Sequence, residues 1–158
     1  MSSDRVSVER RIAAPAARIF AVVSSPAGHV EIDGSGMLVA PFGPRPITAV
    51  GETFDMKMDR EPLGDYPEMG KYQVRNTVTQ LVIDRLVEWT VGPREGPPFG
   101  HVYGWRLEPV GETETDVVHY CDWSGVEGKY RTMRPWPIVP VEMLERSVDN
   151  LERLVISD

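Results

Sequence analysis

The chain has 158 residues, 41% hydrophobic and 26% charged, which is enough for one domain-sized core without staples. Its net charge of −7 has the wrong sign for neutralising phosphates and argues against nucleic acid and acidic membranes as partners. No apolar run reaches the roughly 18–20 residues that cross a bilayer, and a lone cysteine, Cys121, supports neither an internal disulfide nor a cysteine zinc site.

The opening residues MSSDRVSVERR lack the apolar core of a secretory signal, which predicts a cytoplasmic protein. Val6, Val8 and Ile12 alternate with polar neighbours and predict a strand over residues 5–13. Pro15 suits a first helical position, and Ile19, Phe20 and Val23 then make one apolar face of a short helix. Ser25 as N-cap and Pro26 at the next position start a second helix, over 26–33, with Gly34 available to end it in the left-handed conformation. A Pro/Gly-rich stretch over 37–46 interrupts regular structure. Strand signals follow over 52–58, 72–82, 85–91, 101–107 and 113–123, with short links that imply antiparallel neighbours. Pro135, Pro137 and Pro140 forbid a continuing strand or helix interior. Beyond them Leu144, Val148 and Leu151 mark the apolar face of one long helix over 141–155, with Glu142–Arg146 and Asp149–Arg153 spaced as ion pairs on its polar face.

The predicted fold class is α+β: a curved antiparallel sheet wrapped around the long C-terminal helix, with two short helices after the first strand, forming a single domain over 1–158. Only the long helix can cover the sheet's apolar face, and such a grip encloses more volume than side chains fill, so a cavity is expected.

The stretches SVERRIAAPAARIF (7–20), YGWRLEP (103–109) and TDVVHYCDWS (115–124), with the closing helix, resemble the START-like, or Bet v 1-like, helix-grip superfamily (SRPBCC). Within it they look like the bacterial polyketide cyclase/dehydrase and lipid-transport group, and HVEIDGSG (29–36) looks like an uncharacterised branch. The resemblance covers nearly the whole chain and speaks to fold more than to activity. It implies binding of a small hydrophobic or aromatic molecule, such as a lipid or polyketide-like metabolite, without a cofactor, by a monomer or homodimer. Two alternatives stay open. One is a polyketide cyclase or dehydratase using the same pocket. The other is a protein-interaction module with a filled cavity, using an exposed face over 130–137.

Strand parity chooses the inner face. Phe54, Met56 and Met58 oppose Asp55 and Lys57; Tyr72, Val74 and Asn76 oppose Gln73 and Arg75; Val87, Trp89 and Val91 oppose Glu88 and Thr90. In the last hairpin Tyr103 and Trp105 share one side, and His119 shares a face with Val117, Cys121 and Trp123. Any one of Phe54, Met56 or Trp89 reads first as core filler, but together they suit a pocket for a flat or flexible apolar molecule. Phe20 and His29 on the short helices, Met37 after them, and Met143, Leu144 and Ser147 on the long helix complete the expected lining, with an opening near His29 and Met37.

For catalysis the candidates are His119, His29 and Tyr103 as proton donors and acceptors, with Asp33 orienting His29 from four residues away. Asp33 reads better as a helix-terminal Asx bond to the 34–36 backbone. A metal site on His29, Asp33 and His119 lacks tight ligand spacing, and no metal is expected. Gly34-Ser35-Gly36 follows a helix instead of preceding one, the wrong way round for phosphate, and Cys121 reads as inert core.

Overall fold

The computed structural model describes residues 4–43, 45–133 and 135–156. In chain order these form β1 (Arg5–Ile12), α1 (Ala16–Val23), α2 (Pro26–Ile32), β2 (Leu38–Pro41), β3 (Thr53–Asp59), β4 (Lys71–Val82), β5 (Leu86–Gly92), β6 (Val102–Val110), β7 (Glu114–Asp122), α3 (Lys129–Met133) and α4 (Val141–Ile156). The strands make one antiparallel sheet in the order β1-β7-β6-β5-β4-β3-β2.

Alternation places Met56 and Met58 of β3, Val74, Asn76 and Val78 of β4, Val87 and Trp89 of β5, Trp105 and Leu107 of β6, and Val117 and His119 of β7 in the interior. Opposite this face α4 buries Leu144, Val148, Leu151 and Val155, spaced three or four residues apart as one helical stripe. Each such side chain contributes about 1.5–3 kcal/mol on leaving water. Asp149 does not pair with Arg153; it meets Arg10 of β1 at 2.8 Å, because the helix lies across that strand, and Arg153 bonds Asn150 instead.

Three local features differ from the sequence expectation. β2 lies inside the Pro/Gly-rich stretch, as a four-residue edge strand with a register shift against β3, where Pro41 withholds no needed donor. α3 is a five-residue turn of helix between β7 and α4. Gly34 does not take the left-handed conformation; Gly36 does, at φ 77°. Gly34 is required for a different reason. A Cβ there would sit 2.4 Å from the Met143 carbonyl oxygen and 2.5 Å from Arg146 Cβ, so its backbone touches α4 directly. Its N–H donates to Ser147 Oγ at 2.9 Å.

Among the described residues no helix is long and apolar enough to cross a membrane.

Candidate functional site

Between the concave face of β3–β7 and the first half of α4 lies a cavity of about 350 Å3, closed on one side by α2 and the residues after it. Its innermost lining is aromatic. His29 stacks on Trp89 with centroids 4.4 Å apart, and His119 stacks on Trp105 at 3.8 Å and 8°. Both rings are tied to backbone carbonyls: His29 Nε2 donates to Val23 O at 2.6 Å, and His119 Nδ1 donates to Gly104 O at 2.9 Å. A carbonyl can only accept, so these bonds fix the protonated nitrogen of each neutral ring and leave lone pairs on His29 Nδ1 and His119 Nε2. Burial pushes both imidazoles down to about 4, so both are neutral at pH 7.

Asn76 points from β4 into the same space, is 5% exposed, and has no side-chain hydrogen bond among the described residues. A buried amide left this way costs about 1–3 kcal/mol unless water or ligand meets it. Tyr103 faces Cys121 across the β6–β7 register; burial and then the neighbouring Cys121 raise its phenol well above the ordinary value. Burial likewise pushes the Cys121 thiol up to about 12, which leaves it protonated and unreactive.

Met37, Met56, Tyr72, Met143, Leu144 and Ser147 also line the cavity, as the sequence placed them. Phe20 and Phe54 do not. Phe20 lies on α1, which docks against the far end of α4 (Arg18 Nη1 to Val155 O, 3.1 Å), and joins the packed core beside Ile19 and Val23. Phe54 sits behind the histidine stack, its ring edge-on to His29 at 5.6 Å and to Trp89 at 6.1 Å. At the expected opening His29 and Met37 are only 5% and 4% exposed, whereas Met69, in the β3–β4 connection, is an exposed lining residue.

Asp33 lines the cavity but is committed to its own turn, accepting from Ser35 N (3.0 Å), Ser35 Oγ (2.7 Å) and Leu38 N (3.1 Å). It does not hydrogen-bond His29, whose ring proton goes to Val23. In the segment over 130–137, expected as an outward face, Thr132, Met133 and Pro135 are exposed but the two aromatic residues turn inward: Trp136 Nε1 donates to Tyr130 O at 3.0 Å, the Trp136 ring lies 4.8 Å from His101, and Tyr130 and Trp136 both line the cavity. Arg134 lies outside the described residues. Among the described residues no three His, Cys, Asp or Glu side chains gather to hold a metal ion.

Sequence reasoning missed Arg60. It is 3% exposed, lines the cavity, and forms a two-pronged bond to Asp65 (2.8 and 2.7 Å) and a 3.3 Å bond to Tyr72 Oη. Burial works against its charge, but the bonds to Asp65 and Tyr72 outweigh it and hold the guanidinium protonated. The inward parity of Phe54, Met56 and Met58 runs on to position 60 and was the signal that could have found it.

No family model matches the chain. It is 34% identical over 119 residues to the uncharacterised protein Rv0088 of Mycobacterium tuberculosis; the match covers 75% of this chain, and the chain spans about half the length of that relative, 47%. Among solved structures, protein CV1439 of Chromobacterium violaceum superimposes with a TM-score of 0.66 at 16% identity over 98% of this chain and 99% of that one. Ginseng major latex-like protein 151 of Panax ginseng gives 0.66 at 10% identity over 97% of each chain. A point mutant of Thalictrum norcoclaurine synthase, in complex with a transition-state analogue, gives 0.62 at 16% identity over 96% and 93%. At such identities the likeness shows the fold alone, and that fold, a seven-stranded curved sheet around a long C-terminal helix, is the Bet v 1-like helix grip.

Proposed function

We propose that the protein binds a small hydrophobic or aromatic molecule, of the size and character of a lipid or polyketide-like metabolite, in its internal cavity, and so sequesters or carries it. The observation that carries this reading is the cavity itself: about 350 Å3 of space lined by Trp, Tyr, Met and neutral imidazoles, with a few polar groups left for a ligand. A core built only for stability would close such a space, since interiors pack to crystal-like density. The unfilled cavity and the inward turn of Tyr130 and Trp136 both weigh against an interaction module with a filled interior.

The cyclase or dehydratase reading has less support. General acid–base groups work best with pKa values near the operating pH, and here burial holds His29 and His119 near 4 and drives Tyr103 the other way. Asp33 is already engaged by three donors and gives His29 no hydrogen-bonded carboxylate. The test is titration of the protein with an apolar fluorescent probe such as N-phenyl-1-naphthylamine. Saturable one-site binding that is competed by apolar molecules is expected. Unsaturable, weak partitioning would overturn the reading.

A further inference from the structure

The guanidinium of Arg60 has two hydrogen-bonding edges, and the structure uses them unequally. The Nε–Nη2 edge is occupied by the two oxygens of Asp65. The Nη1–Nη2 edge meets only Tyr72 Oη, at 3.3 Å, so one N–H on each terminal nitrogen has no acceptor among the described residues. Arg60 Cζ lies over the Tyr66 ring, 5.8 Å from its centroid. The Arg60 side chain is 4% exposed, whereas that of Asp65 is 31% exposed. The carboxylate thus stands on the water side and the cation on the cavity side.

We propose that this second edge of Arg60, with the Tyr72 hydroxyl, anchors a carboxylate at the rim of the cavity, so that the ligand is an amphipathic carboxylic acid with its apolar body directed inward toward Trp89 and Trp105. This rests on the reading of the cavity as a ligand site and names the class of ligand. The free Nη2 N–H and the Tyr72 O–H beside it can meet the two oxygens of a planar carboxylate, and an ionised acceptor makes charge-assisted bonds roughly twice as strong as a neutral carbonyl would. Tyr72 Oη accepts from Arg60 and keeps its own O–H to donate to the same group. The position suits a charge. The side chain of Asp65, bonded to Arg60, is 31% exposed and Met69 of the same connection is exposed, so an anion here stays closer to water and loses less hydration than it would beside His29 or His119.

The test compares 1-naphthaleneacetate with 1-naphthaleneethanol, which shares its ring system and replaces the carboxylate by a neutral hydroxyl, by calorimetry near pH 7. The intact protein should prefer the carboxylate at least tenfold, and Arg60→Lys, which keeps a charge for Asp65 but has no fork, should bring the ratio of the two Kd values to within about threefold of one. On the intact protein with 15N-labelled arginine, naphthaleneacetate and not the alcohol should shift one set of Nη resonances, a readout independent of how well the variant folds. Equal affinity of the intact protein for both compounds overturns the anchor and leaves the apolar cavity standing. An unchanged ratio in a folded Arg60→Lys protein also overturns the anchor. Binding of neither compound overturns both readings.

Discussion

Each cavity imidazole gives its proton to a backbone carbonyl, Val23 for His29 and Gly104 for His119, and keeps a lone pair on its other nitrogen. A ligand hydroxyl is the natural partner for such an acceptor. His119→Phe keeps a ring against Trp105 but removes that acceptor, so affinity for 1-naphthol should fall about tenfold relative to naphthalene, in line with about 1–3 kcal/mol for a buried hydrogen bond. An equal loss for both compounds would mean the substitution acts through shape alone. The same histidines couple folding to pH. Their folded values near 4 lie below the ordinary 6.5, so above pH 6.5 both states are neutral, and between 6.5 and 4 only the unfolded chain takes up protons. Stability therefore falls on acidification through that window, by about 1.4 kcal/mol per pH unit for each histidine. Urea unfolding at several pH values would read the slope, and an NMR titration placing either ring near 6.5 would contradict it. Alternating polarity was enough to turn Asn76, Tyr103 and His119 inward from sequence. It could not assign Asp33, because a carboxylate one turn from an imidazole has the same spacing whether it bonds that ring or its own backbone.

The long helix carries the largest legible signal, since Leu144, Val148 and Leu151 repeat with helical period and all three are buried by the sheet. Leu151 is fully buried, and Leu151→Ala should cost about 2–5 kcal/mol in chemical denaturation; a loss below about 0.5 kcal/mol would mean the helix is peripheral. The contact between α2 and α4 was invisible, because nothing in a sequence distinguishes a glycine kept for its φ from one kept for its missing Cβ. Gly34→Ala places a methyl 2.4 Å from the Met143 carbonyl oxygen and, with only backbone and a Cβ to yield, should destabilise by about 1–3 kcal/mol or more. An unchanged denaturation midpoint would show that the helices separate easily. β2 and α3 escaped for a simpler reason: four and five residues are too few for a period to register, and β2 carries Pro41 besides.

Across the whole molecule the sheet reads in sequence order from β2 to β7, and only β1 breaks the sequence, sitting beyond β7 at the edge. Its partners are far along the chain: Arg5 pairs with Asp122, Val8 with His119 and Ile12 with Thr115. Fold class and grip were readable from element order, but this closing pair was not, since strand periodicity says nothing about which strand a neighbour will be. The arrangement sets a timetable for folding. On a ribosome β1 emerges first and has nothing to pair with until the last strand follows, so the hairpins β3–β4 and β6–β7 can form early whereas the N-terminal strand waits for a long loop to close. Nascent chains stalled before β7 is released should leave β1 open to protease, and protection should arrive in one step when β7 and α4 are both available. Until that moment a small molecule has no enclosed space to enter, so any loading of the cavity follows the pairing of β1 with β7 and the docking of α4.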